Sequence, residues 1–236
     1  MTAYAIRDPA EADRRFVAYA AHELRGEITL QRTLAEVALA DPDADAAALR
    51  RMGERVAAAC ERQGRLLDAL LTLARSQYGH LRHESVDLAA TAADVLHAQD
   101  HRGLGCSTAL EPARVTGDPQ LIERLVANLV ANAVRHNVTG GRIDVATYTA
   151  AGRATLEVTN TGPLIPSGEL TRLFRPFQRL GAAGGPPADG VGLGLAIVQA
   201  IVGAHNASVS AHARSAGGLR IKVEFGAQAL GEQIAA

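Results

Sequence analysis

Apolar residues recur every three to four positions over residues 16–28, at Phe16, Val17, Ala20, Ala21, Leu24 and Ile28. With no proline and a single glycine, the stretch reads as an amphipathic helix. Asp8-Pro9 supplies its start, with Asp as cap and Pro as the first helical residue, and Asp41-Pro42-Asp43 supplies its stop near Ala40. A second helix is predicted over residues 44–77. Its seam of Leu49, Met52, Val56, Ala59, Leu66, Leu70 and Leu73 alternates steps of three and four over several heptads. Two long antiparallel helices cannot bury such seams alone in water. A helical hairpin that dimerises into a four-helix bundle is the economical answer. The alternative is a monomeric hairpin packed on the chain's own second domain.

Past residue 78 the pattern changes. Residues 76–84 are short and polar and read as a linker, and mixed α/β patterning follows. Helices are predicted over 87–99, over 118–136 behind the start signal Asp118-Pro119, and over 193–205. Short strands are predicted at 106–110 and 114–116. Residues 142–149 and 154–160 alternate with period two around Ala151-Gly152 and read as an antiparallel hairpin, with further strands at 207–213 and 219–225. Residues 181–190 (GAAGGPPADG) read as a flexible loop. The domain expectation is a hairpin over 1–78, a linker over 79–86, an α/β domain over 87–228 and a tail over 229–236.

Composition narrows the functions available. A chain of 236 residues can bury a real core in one or two domains. A net charge of −1 argues against a broad grip on nucleic acid or an anionic membrane. Cys60 and Cys106 have no metal-ligand spacing and read as reduced structural thiols. No run of eighteen apolar residues and no signal peptide occurs. The expectation is a cytosolic fragment of something longer, making no membrane contact of its own.

Four stretches carry candidate chemistry. His22 lies about 170° from the centre of the first helix's apolar face, which points it to solvent with Glu23 and Arg25 beside it. An imidazole held out on a rigid helix suits a nucleophile or a ligand better than packing. Asn128 and Asn132 share a helix face four residues apart, with Arg135 and His136 one turn on. A neutral amide oxygen can ligate a hard cation such as Mg²⁺, and Arg135 can meet phosphate charge. Asn160-Thr161-Gly162-Pro163 ends a strand and suits a flat polar ring such as adenine. Gly190, Gly192 and Gly194, followed by Leu195, lead into a helix whose first N–H groups can bind phosphate.

Together these stretches resemble the sensor histidine kinases. FVAYAAHELR is similar to the phospho-acceptor box of that family, and NLVANAVRHN to its asparagine-rich nucleotide box. NTGPLIP, LFRPFQRL and GVGLGLAIV resemble the remaining boxes, in the family's order. The resemblance implies a dimeric helical hairpin followed by the α/β ATP-binding sandwich shared with gyrase and heat-shock chaperone ATPases, with a mixed sheet. It implies ATP and Mg²⁺ as cofactors, a homodimer, a response regulator receiver domain as partner, and a place as the cytoplasmic segment of an inner-membrane sensor. His22 would accept the γ-phosphoryl group, and Glu23 would orient the ring or take its proton. Asn132 would hold Mg²⁺, with Asn128 in support and Arg135 near the phosphates. Asn160 would bind adenine, while Gly162, Gly190, Gly192 and Gly194 shape the pocket. Phe174 and Phe177 would anchor a lid over roughly residues 167–189. Related ATPases carry a water-activating glutamate where Asn128 stands; an amide cannot be that base.

The departures from the family pattern define the alternatives. Gly26-Glu27 stands where the family has Thr-Pro, which softens the helix and puts regulator dephosphorylation in doubt. Asn160 replaces an Asp, and Leu164 replaces a Gly and is expected to narrow the pocket. A degenerate, kinase-impaired dimeric scaffold is therefore one competing reading. A gyrase-type ATPase is another, disfavoured by Asn128.

Overall fold

The computed structural model describes residues 9–41, 45–79, 81–177 and 192–226. The chain divides into two compact units, Met1–Leu71 and Thr72–Ala236.

The first unit is helical. Helix α1 runs Pro9–Ala40 and α2 runs Ala46–Tyr78. Asp45 starts α2 by accepting the Ala48 N–H at 2.6 Å, the bond an N-cap side chain makes to a donor with no helical partner. Along the predicted seam Ala59 and Leu66 are buried and Met52, Val56 and Leu70 are half-buried, while Leu49 is exposed. Other apolar side chains of the same helices face outward, Val37, Leu39 and Leu67 among them, with Leu39 87 % exposed. An isolated hairpin has two apolar flanks and only one partner helix to cover them, so surface of this kind is left over.

The second unit begins with the last two turns of α2. The stretch read as a linker ends in a strand: β1 (Glu84–Asp87) pairs antiparallel with β3 (Arg114–Gly117), Val86 opposite Val115. Four residues with one buried side chain give too short an alternation to read, and the pairing partner lies some thirty positions away. Asp87 then caps α3 (Leu88–Ala98), accepting the Ala89 N–H at 2.9 Å.

The main sheet has five strands in the order β2-β4-β5-β7-β6, with β2 at Gly105–Leu110, β4 at Arg142–Ala150, β5 at Arg153–Asn160, β6 at Ser208–Ala213 and β7 at Leu219–Glu224. The pair β2–β4 is parallel and the rest are antiparallel, so the sheet is mixed as expected. A parallel pair needs a crossover, and the chain makes it through β3 and α4 (Pro119–Arg135). Ala151, with φ +49°, and Gly152, with φ +72°, form the β4–β5 turn, the conformation two-residue hairpins require. One face of the sheet carries Ile143, Val145, Leu156, Val158, Ile221 and Val223, all buried. The helices α3, α4 and α5 (Gly194–Ala204) form the second layer. Along β7 the buried residues alternate with Arg220, Lys222 and Glu224, and Arg220 pairs with Glu157 at 3.2 Å on the outer face.

The start of α4 is held by several converging hydrogen bonds. Asp118 is fully buried. Its Oδ1 accepts the Gln120 and Leu121 N–H groups at 3.1 and 3.2 Å, and its Oδ2 accepts from Arg75 Nη2 at 3.2 Å and the Arg82 N–H at 3.4 Å. Burial pushes this carboxyl upward, but the backbone donors and the Arg75 charge outweigh it, and its pKa lies below the usual carboxylate value. The stabilisation is therefore complete above the unfolded-state carboxylate range and lost as pH falls through the lower folded-state value. Asp118→Ala is expected to cost about 2 kcal/mol at neutral pH, from a lost cap and orphaned donors. In urea denaturation followed by circular dichroism, the gap between the wild type and Asp118→Asn should close below the carboxylate range. A gap that persists unchanged into acid would contradict the assignment.

Candidate functional site

Helix α4 presents two faces. Leu121, Ile122, Leu125, Val126, Leu129, Val130, Ala133 and Val134 are buried along one. That stripe fixes the helix's rotation and sets Asn128 and Asn132, about 40° apart around the axis, along its border. The Asn128 Nδ2 donates to the Arg124 carbonyl one turn back at 2.7 Å. Its donor side is thus used within the helix and Oδ1 faces outward. A Cβ added to Gly194 would stand 3.3 Å from that oxygen. Gly194 is the first residue of α5, so the asparagine-rich helix and the end of the glycine turn meet here.

Asn132 is half-buried, and its side chain makes no hydrogen bond within the described residues; only its carbonyl accepts, from the His136 N–H at 3.0 Å. An unused, partly exposed amide oxygen fits a hard cation whose other sites go to phosphate and water. Among the described residues no cluster of three His, Cys, Asp or Glu side chains offers an all-protein metal cage. Arg135 closes the last turn of α4 and His136 caps it, both exposed.

Asn160 ends β5, only 4 % exposed. Its Nδ2 donates to the Thr161 carbonyl at 2.6 Å and, at a long 3.4 Å, to the His136 carbonyl at the end of α4. Two carbonyl oxygens on one side of the group require an amide nitrogen there, so the amide orientation is set and Oδ1 is the acceptor it presents. Gly162 follows in a tight place: a Cβ would meet the His136 carbonyl oxygen at 2.6 Å and the Asn160 amide at 3.2 Å. The strand end is braced from two directions. Thr161 Oγ1 accepts the Arg142 N–H at 2.8 Å, and Arg214 Nη1 donates to the Asn160 carbonyl at 3.2 Å. Gly217 and Gly218, with φ +88° and +93°, bring the β6–β7 turn against Gly162 and Pro163, the Gly218 N–H bonding the Pro163 carbonyl at 3.0 Å.

The described residues predicted for nucleotide meet at two points along α4. Gly162 packs on the end of α4, and Asn160 is bonded to it. Asn128 contacts Gly194, and Gly192 (φ +72°) accepts the Phe177 N–H at 2.9 Å. Leu195 is buried in the first turn of α5. Leu164, expected to narrow the pocket, is 73 % exposed and does not fill it. Gly190 and most of the predicted lid, residues 178–189, lie outside the described residues; what is described of the lid includes a 3₁₀ turn over Ser167–Arg172. His22 and Glu23 lie within α1, and their side chains are outside the described residues. Sequence reasoning missed the bracing group of Arg142, Thr161 and Arg214. The one signal in the sequence that could have pointed there is the Gly217-Gly218 pair, whose positive φ allows the close approach.

The family model of the His Kinase A (phospho-acceptor) domain matches residues 12–79, and that of the histidine kinase-, DNA gyrase B-, and HSP90-like ATPase matches residues 117–229. The sensor protein CutS of Streptomyces coelicolor is 43 % identical over 217 residues, covering 90 % of this chain and 52 % of CutS. The chain spans about half the length of the curated relatives it matches. The solved Acinetobacter baumannii histidine kinase AdeS matches with a TM-score of 0.68 at 23 % identity, over 88 % of this chain and 98 % of AdeS. The histidine kinase ThkA in complex with the response regulator protein TrrA matches at 0.67 and 20 % identity, over 89 % of this chain and 60 % of that one. At these identities the two structures speak to fold.

The amide at Asn160 makes an unusual substitution informative. Asn160→Asp would set a carboxylate oxygen against the Thr161 and His136 carbonyls, so Mg-ADP should bind about tenfold more weakly by calorimetry, as for one buried polar group left unpaired. Tighter binding by the aspartate would contradict the orientation argued above. Gly162→Ala should lower the thermal midpoint, costing about 1–3 kcal/mol through the clash with the His136 carbonyl.

Proposed function

This chain belongs to the two-component sensor histidine kinases, and we propose that it is the catalytic core of one: an ATP-dependent autokinase that phosphorylates His22 and passes the phosphoryl group to an aspartate of a response regulator. The observation that carries the reading is the approach of Asn128 Oδ1 to Gly194, which makes one cleft of the asparagine helix and the glycine turn.

The residues fit the nucleotide in order along the cleft. Asn160 presents an amide oxygen, an acceptor suited to the amino group of adenine. Asn132 offers the amide oxygen for Mg²⁺. The first N–H groups of α5, unpaired within the helix and at its positive end, suit phosphate. ATP with Mg²⁺ supplies the phosphoryl group and offsets its charge. A ring nitrogen of His22 takes that group as the bond to the ADP oxygen breaks, and Glu23 orients the imidazole or takes its proton. Asn128 cannot accept a proton from water, so the cleft favours transfer to a side chain over hydrolysis.

A homodimer fits the helical pair, whose outward Val37, Leu39 and Leu67 remain uncovered on one chain. The family relation to a kinase solved with a response regulator supports a receiver domain as the phosphoryl acceptor. No helix among the described residues is long and apolar enough to cross a membrane. The homologous sensors support a segment that works beside a membrane as part of a longer protein.

Incubation with γ-labelled ATP and Mg²⁺ should label the protein in an acid-labile, base-stable form. His22→Ala should abolish the label while Mg-ADP still binds. Absence of label in the wild type under every nucleotide condition would overturn the proposal.

A further inference from the structure

The ends of α4 and α5 remote from the cleft are also joined. The Asp118 N–H donates to His205 Nε2 at 3.0 Å, and His205 Nδ1 lies 2.8 Å from the Ile201 carbonyl. An acceptor at Nε2 leaves the ring proton on Nδ1, directed at that carbonyl. The ring stands edge-on to Phe225, centroids 6.2 Å apart. It fills space that only a glycine at position 117 leaves open: a Cβ there would meet the ring's Cδ2 and lie 2.7 Å from Nε2. His205 caps the C-terminal end of α5, and Asp118 caps the N-terminal end of α4. One imidazole therefore pins the finish of one helix to the start of the other.

The two helices run antiparallel, since Asn128 meets Gly194 at the opposite end. Asp118 and Asn128 are about 15 Å apart along α4. Over that length a tilt of about 5° moves the far end by about 1.3 Å. Displacements near 1 Å in a reacting site cost on the order of 10²-fold. Small changes at the pinned end are thus large ones at the cleft.

We propose that His205 is a positioning residue for the nucleotide: by accepting the Asp118 N–H at Nε2 it sets the angle between α4 and α5, and with it the separation of Asn128 from the glycine turn. The role rests on the nucleotide reading of the cleft and adds a residue that touches no ligand. It depends on where the acceptor sits on the side chain, which separates it from simple packing. Glutamine carries an acceptor at the reach of Nε2. Asparagine carries polar atoms only at the reach of Nδ1. Leucine has similar bulk and no acceptor.

The test titrates Mg-ADP by calorimetry into the full chain and its His205→Gln, His205→Asn and His205→Leu variants, each held well below its own melting midpoint. His205→Gln should bind within about threefold of wild type, and the other two more than tenfold more weakly. Should any variant fail to fold, Gly117→Ala displaces the ring without removing it and should weaken binding in the same direction. Wild-type affinity in His205→Asn and His205→Leu would overturn the proposal, as would an equal loss in all three. Wild-type protein that binds no Mg-ADP would overturn the nucleotide reading beneath it as well.

Discussion

The one-sided burial of α4 is the constraint on which the second unit depends. Eight apolar side chains, from Leu121 to Val134, leave the sandwich when the helix turns about its axis, so its rotation is fixed by a burial term worth roughly 1.5–3 kcal/mol per large side chain. Asn128 and Asn132 have no packing role of their own. They stand at the cleft because the apolar stripe beside them has nowhere else to go. Rotation is settled by the core, and tilt by the caps at either end.

Those ends differ in kind. At the start of α4 a buried carboxylate collects backbone donors and the Arg75 guanidinium, and the neighbouring N–H is taken by His205. At the finish, the His136 carbonyl accepts the Asn160 amide and crowds Gly162. One end is held by charge and hydrogen bonds in a dry setting, where each bond left unmade costs most. The other is held by glycines whose missing side chains let backbone touch backbone.

Much of this architecture was legible in the order of residues, and the physical reason is periodicity. Long helices and the β4–β5 hairpin repeat their apolar positions often enough to be read, and Asp118-Pro119 and Ala151-Gly152 mark their limits by local chemistry. Strand β1 was not legible, because Val86 is its one buried residue and its pairing with Val115 is a long-range contact. The 3₁₀ turn at Ser167–Arg172 is too short to carry a period. Within the site, the types of side chain were readable from the family boxes, and their orientations were not. That the Asn160 amide points its nitrogen at the Thr161 and His136 carbonyls follows from a strand end meeting a helix end. Residue spacing does not encode such a meeting. His205 shows no chemistry in the sequence at all, since its partner stands 87 positions earlier.

The amide at the end of β5 has a consequence for the conditions under which the protein works. A carboxylate in that place would gain or lose a proton as its surroundings changed, and any contact it made would shift with it. Asn160 holds no exchangeable charge, and its orientation is imposed by main-chain oxygens that do not titrate. The acceptor presented at the end of β5 is therefore indifferent to acidity. Where the protein responds to proton concentration, the carboxylate that opens α4 is a group that titrates and the amide that closes β5 is not.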